Sequence, residues 1–138
     1  MVSIAYRLNV FGFFAHAMLE KEAVDGRPCA NFGFLDQRMG IQWVKDNIAL
    51  FGGDPANITV FGQSAGAASA LAQSVSPMND GLFQRVIMQS GGGTGLFNRH
   101  LWSLEDAQRN GARFLKYLEV ESIARRVLFL RLICWRRR

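Results

Sequence analysis

The sequence belongs to the α/β class, and three observations carry that expectation. Ile58–Phe61 is a short strand-like run that passes through a Gly-Gln-Ser-Ala-Gly turn, residues 62–66, into an alanine-rich stretch of helical character. Ahead of it, Leu35, Met39, Val44, Ile48 and Phe51 keep near-helical spacing. Val2–Arg7 and Leu82–Gly91 read as mostly buried strands on either side. Strands and helices in alternation are the material of a layered sheet-and-helix structure.

In chain order, the strand at Val2–Arg7 continues into Leu8–Phe14. Glu20–Pro28 is polar, and its Asp25-Gly26 pair marks an exposed loop. The helix that follows ends where Gly52-Gly53-Asp54-Pro55 forbids another turn. Pro77 closes the alanine-rich helix, and Gly91–Gly95 forms a loop beyond the last strand. Ser103 and Asp106 form a capping arrangement for a final helix, with Ala107, Gly111, Phe114, Leu115 and Leu118 on one face.

Length and composition narrow the function classes. A chain of 138 residues is enough for about one domain, and 49% hydrophobic with 20% charged residues is globular composition. No apolar run reaches the roughly 20 residues of a membrane span, and no secretory leader pattern follows Met1. The net charge of +5 is uneven: residues 1–118 hold ten basic and nine acidic groups, whereas residues 119–138 hold six arginines and two glutamates. A terminal arginine cluster is not the basic, aromatic-studded surface that nucleic acid requires.

The turn at 62–66 is the one place where chemistry concentrates. A serine between strand and helix is forced into an unusual backbone conformation, and Gly62 and Gly66 are expected because strand and helix approach closely there. The helix starting at Ala65 aims free N–H groups and its positive dipole end at the same spot. Ser64 is therefore the candidate nucleophile and the Ala65 N–H a candidate oxyanion donor. The alternative is a structural turn whose serine caps the helix.

Phe51-Gly52-Gly53, four residues, then Ile58-x-Val60-x-Gly62-x-Ser64-Ala65-Gly66 resembles the signature of the type-B carboxylesterase and cholinesterase family, a branch of the α/β-hydrolases. Around it, Ala5-Tyr6-Arg7 resembles the family's "NYR" strand. Asn31–Arg38 is similar to its "GNxGLxDQ" segment, with Ala30 in the usual glycine position. Leu82–Gly91 follows "LFxRxIxQSG" almost residue for residue. The resemblance is closest to bacterial para-nitrobenzyl-esterase-like members and covers residues 2–118. It implies part of an α/β-hydrolase sheet around the nucleophile turn, without the N-terminal strands and the C-terminal half. The implied reaction is hydrolysis of a small carboxylic ester through an acyl-enzyme on Ser64, with no cofactor and no metal. Gln63 fills a position where many relatives carry glutamate, and Ser90 matches a serine that helps orient the acidic triad member. A strand-end hydroxyl satisfying local backbone is the alternative for Ser90.

A serine esterase also needs a histidine, an acid and a second oxyanion donor. The family's acid and histidine lie far downstream of the serine, and its "HGGG" loop lies upstream of the "NYR" strand, so none is expected among these 138 residues. His16 and His100 read as loop or surface histidines, and Asp36, Asp54, Glu105 and Asp106 as helix-start or turn residues. The strand that carries the "HGGG" loop sits between the "NYR" and nucleophile strands in the family, so this chain alone is expected to leave sheet edges open to non-native self-association. Expressed by itself it is expected to be inactive and poorly soluble. A truncated product without catalysis, or an adhesion relative of the fold, is the competing reading; an intact Ser64 turn argues against the second.

Residues 119–138 match nothing in the family pattern and read as an atypical arginine-rich tail, from a frameshift or a misjoined terminus. A basic amphipathic helix on an anionic membrane is the alternative there. Cys29 and Cys134 form no C-x-x-C or metal-type spacing and read as two unpaired thiols. The resemblance implies a cytoplasmic location, since neither matches the disulfide cysteines of the family's secreted members. Phe11, Phe13, Phe14 and Phe97 line a substrate pocket or belong to the core.

Overall fold

The computed structural model describes residues 1–22, 30–91 and 101–119. They fall into two compact units, one made of Met1–Phe13 and Asn31–Leu101, the other of Phe14–Ala30 and Trp102–Arg138.

The first unit is built on two parallel strands, β1 (Thr59–Gln63) and β2 (Arg85–Gln89). Thr59 stands opposite Arg85 and Gln63 opposite Gln89, with no slip between. Parallel strands need a crossover, and the helix after β1 supplies it. Two more helices precede the sheet in sequence, α1 (Asn9–Phe13) and α2 (Phe32–Asn47), and α3 (Ala65–Val75) packs on both strands and on α2. Helix α2 tightens into a 3₁₀ turn over Ile48–Phe51 and stops at Gly52, whose φ of 77° suits glycine alone. The stop predicted from Gly52–Pro55 is therefore met. Helix α3 ends at Val75, just before Pro77 as predicted, and Pro77 opens a 3₁₀ turn, Pro77–Asn79.

Two strand expectations need correction. Val2–Arg7 is irregular, and among the described residues no strand pairs with it. Side chains hold this segment instead of a ladder: Ile4 packs against Gly40, where an added Cβ would come within 2.8 Å, and Arg7 clamps Asp36. Its expected continuation through Leu8–Phe14 is the short α1, turned by Asn9 at φ 50° with Gly12 pressed against the Arg7 carbonyl. The second correction concerns β2, which is shorter than Leu82–Gly91 and largely exposed, with only Val86 half-buried. Its apolar residues Ile87 and Met88 face outward because no second layer covers them among the described residues.

The core is correspondingly sparse, with alanines beside a few larger aliphatic side chains. Ala67, Ala70, Ile41 and Leu82 are buried in the first unit, whereas Leu50, Phe51 and Phe61 are exposed. Small side chains on α3 let it sit close to the strands. Between α2 and α3 lies a buried amide network: Gln73 Nε2 donates to Phe34 O at 2.9 Å and to Gln37 Oε1 at 3.0 Å, and Asn79 Nδ2 donates to Gln73 Oε1 at 2.7 Å.

The second unit contains a 3₁₀ turn, Ala17–Glu22, and α4 (Leu104–Tyr117). Ser103 caps α4 by accepting from the Asp106 N–H at 3.1 Å, as its spacing predicted. Gly111 lies against the Ala15 carbonyl and Leu115 is buried, so the predicted apolar face is the packed one. Phe14 meets Phe114 edge-on with centroids 6.3 Å apart. Among the described residues no helix is long and apolar enough to cross a membrane. Cys29, Cys134, His100, Phe97 and the arginine-rich tail lie outside the described residues.

Candidate functional site

Strand β1 runs directly into α3 through Ser64, and the chain reverses there with φ 51° and ψ −116°. A residue with a Cβ rarely adopts this region, and it persists only where the surroundings enforce it. The enforcement is visible. The Ser64 N–H donates to the Gln89 carbonyl at 2.9 Å, tying the turn to the end of β2, and the Ser64 carbonyl accepts from the Ala68 N–H at 3.1 Å, fixing it as the start of α3. An added Cβ on Gly62 would collide with the Gly66 backbone. On Gly66 the same atom meets nothing within 4 Å, so the close approach comes from a bare position 62 against the backbone of 66, not from a missing side chain at both.

Gly91, expected at the end of a strand and the start of a loop, contributes to the site as well. A Cβ at this position would stand 2.7 Å from the Ser64 carbonyl oxygen and 3.2 Å from the Ser64 Cα. The chain after β2 thus passes directly beneath the serine. The available sequence signal was the glycine that follows Gln89-Ser90 at a strand end.

Ser64 is half-buried and its side chain makes no capping hydrogen bond, which removes the helix-cap explanation of this serine. Ala65 is the first helical residue, so its N–H has no intrahelical carbonyl to meet. No acidic residue occupies the first turn of α3, leaving the positive end of the dipole unneutralised beside the hydroxyl. Together these groups present a nucleophile and one donor for a developing oxyanion. Gln63 is exposed at the last position of β1. Ser90 follows β2 directly, is exposed, and has φ 51°.

The remaining candidates are engaged elsewhere. His16 Nδ1 accepts from the Met18 N–H at 3.2 Å, and its ring stacks on Phe14 at 6.1 Å. An imidazole that accepts at Nδ1 carries its neutral-form proton on Nε2, the reverse of the tautomer a serine's base requires. Asp36 takes two bonds from the Arg7 side chain, both 2.7 Å, and one from the Arg7 N–H at 3.0 Å. These bonds hold its carboxyl below the usual range, with partial desolvation opposing. Asp54 caps the Ala56 N–H at 2.8 Å, and Glu105 and Asp106 pair with Arg109 at 2.9 and 3.1 Å. Phe13 packs edge-on against Phe34 at 5.1 Å, yet it and Phe11 are both exposed, so neither belongs to the buried core. Among the described residues no three His, Cys, Asp or Glu side chains gather as a metal site would need.

Comparison with known proteins adds the wider setting. A model of the carboxylesterase family matches residues 1–131. A probable cholinesterase of Acanthamoeba polyphaga mimivirus is 48% identical over 95 residues, which is 66% of this chain and 16% of that protein. The bile salt-activated lipase of Mus musculus is 50% identical over 91 residues, covering 66% of this chain and 14% of the lipase. This chain thus spans about one sixth of the length of these relatives. Among solved structures, a thermophilic PNB esterase aligns with a TM-score of 0.69 and 41% identity over 84% of this chain and 22% of its own. A Geobacillus stearothermophilus carboxylesterase aligns with a TM-score of 0.73 and 42% identity, covering 89% of this chain and 24% of the enzyme. At this level of identity, the strand, turn and helix arrangement described above is a part of the α/β-hydrolase fold.

Proposed function

This chain belongs to the carboxylesterase family, and from that premise we propose that it carries the nucleophile segment of a carboxylic ester hydrolase. Ser64 Oγ attacks the ester carbonyl carbon. Its proton passes to a base, the alcohol leaves, and water releases the acid from the acyl-serine. As the carbonyl oxygen gains charge, the Ala65 N–H and the α3 dipole stabilise it. Gly62, Gln63 and Gly66 shape the turn.

The observation that carries this reading is the Ser64 backbone. A non-glycine residue at φ 51° and ψ −116°, with its hydroxyl unused for capping, is strain kept where a side chain must project. A binding scaffold has no use for that strain. His16 holds the wrong tautomer for a serine's base and Asp36, Asp54, Glu105 and Asp106 are engaged elsewhere, so the isolated chain is expected to turn over no ester, and its open sheet edges favour non-native self-association at high concentration. The substrate is a small carboxylic ester.

The test replaces the matching segment of the Geobacillus stearothermophilus carboxylesterase with residues 58–91 of this chain and follows ester hydrolysis and fluorophosphonate labelling. Both are expected to persist in the chimera and to vanish with Ser64→Ala. A folded chimera that labels equally with and without Ser64, or not at all, would sink the nucleophile assignment.

A further inference from the structure

Gly91 is a glycine for reasons of space. Among the described glycines only Gly52 and Gly81 have a positive φ, so no unusual backbone angle at position 91 calls for the missing side chain. The surroundings do. An added Cβ would stand 2.7 Å from the Ser64 carbonyl oxygen, 3.2 Å from the Ser64 Cα and 3.3 Å from the Cβ of Ala67, which has no exposed surface. Ordinary contact begins near 3.4 Å, so something has to give by about 0.7 Å.

Neither party can give without moving the serine. On one side, Ser64 is held by its N–H on the Gln89 carbonyl and by its own carbonyl on the Ala68 N–H, with Gly62 already pressed against the Gly66 backbone. On the other side, residue 91 stands two positions after Gln89, so drawing it away pulls on the very carbonyl that the Ser64 N–H uses. Both routes end at Ser64.

We propose that Gly91 is a positioning residue for the nucleophile: its bare Cα lets the end of β2 seat the Ser64 backbone where Oγ and the Ala65 N–H meet the same ester carbonyl. This role rests on the ester-hydrolase reading. Attack requires reacting atoms about 3–3.5 Å apart and aligned, and a misplacement of about 1 Å can cost about 100-fold in rate. A shift of the Ser64 backbone therefore slows the chemical step and leaves substrate binding nearly untouched. A glycine that acted through packing alone would behave differently, because its replacement would lower the number of folded molecules and leave each of them as fast as before.

The full 138-residue chain tests the geometry. In Gly91→Ala, amide hydrogen exchange at Ser64 and Ala68, whose N–H groups make the bonds that hold the turn, is expected to speed about tenfold more than at Leu71 and Ala72 in the body of α3. The chimera of residues 58–91 in the Geobacillus stearothermophilus carboxylesterase supplies the kinetics. There Gly91→Ala is expected to lower kcat, and the rate of fluorophosphonate labelling per titrated serine, by about 10-fold to 100-fold, with KM within about threefold. Should that variant not fold, adding Ala67→Gly removes the 3.3 Å contact, leaves the 2.7 Å one on Ser64 and carries the test with the same loss expected. Rates per titrated serine that match the unsubstituted chimera, or exchange that speeds evenly along α3, overturn the proposal. An unsubstituted chimera that never labels through Ser64 sinks the nucleophile assignment and the positioning role with it, whereas one that labels while Gly91→Ala keeps its rate sinks the positioning role alone.

Discussion

Ser64 and Ser90 stand one residue past the matched ends of β1 and β2, and both have φ of 51°. The two parallel strands thus stop in register, and each turns sharply at a serine. The turns are coupled, because Ser64 hangs on the Gln89 carbonyl and the bare Gly91 leaves room for the Ser64 backbone. The geometry of the nucleophile is therefore set as much by the end of β2 as by its own strand.

That coupling makes the strain at Ser64 measurable. Ser64→Gly is expected to raise stability by about 1 kcal/mol, because glycine adopts this conformation freely and the gain exceeds its own entropic penalty. Ser64→Ala keeps the strain and leaves stability within about 0.5 kcal/mol. Urea denaturation of both variants checks this. A glycine variant less stable than the alanine variant would mean that the turn is not strained.

The glycines of the turn are predicted to be unequal. Gly62→Ala drives a Cβ into the Gly66 backbone and is expected to cost about 3 kcal/mol or prevent folding. Gly91→Ala forces the Ser64 backbone to move and is expected to cost about 2 kcal/mol. Gly66→Ala meets open space in the first turn of α3 and is expected to be neutral or mildly stabilising. Thermal melts of the three variants rank them, and a Gly66→Ala change as harmful as Gly62→Ala would contradict the geometry.

The final helix offers a simpler test. Ser103 accepts from the Asp106 N–H at 3.1 Å and donates to Asp106 Oδ2 at 2.8 Å. Ser103→Ala is expected to cost about 1 kcal/mol and to speed hydrogen exchange in the first turn of α4, whereas Ser103→Asn restores most of the loss. Unchanged exchange at Leu104–Asp106 in the alanine variant would show that the cap contributes nothing.

Local patterns in this sequence were legible where neighbours along the chain decide the outcome. The strand, turn and helix around Ser64, the stop after Phe51 and the Ser103 cap depend on residues a few positions apart, and all three appear as expected. Val2–Arg7 was misread because an apolar, β-prone run becomes a strand only beside another strand. Gly91 beneath Ser64 and the Gln73–Gln37 hydrogen bond join residues 27 and 36 positions apart, and no local pattern announces such contacts. Asp36 is the intermediate case: it was read as a helix-start acid, which its place in the first turns of α2 justifies, yet its partner is Arg7, 29 residues earlier.

The Arg7 pairing gives the chain a pH dependence of definite sign. The Arg7 hydrogen bonds stabilise the charged form of Asp36, so its folded-state pKa lies below the unfolded value of about 4. Between those two values the unfolded state binds more protons than the folded one, so stability rises with pH through that window. The contribution is complete above about pH 4 and is lost as pH falls through the folded value. Arg7 is 53% exposed, so solvent screening holds the pair to about 1 kcal/mol even with two parallel bonds. Asp36→Asn is accordingly expected to lower stability by about 1 kcal/mol at pH 7, and its difference from wild type is expected to shrink as pH drops below about 4. Urea denaturation of both proteins from pH 3 to pH 7 tests this; a difference that stays constant across the range would show that Asp36 acts through shape and not through its charge.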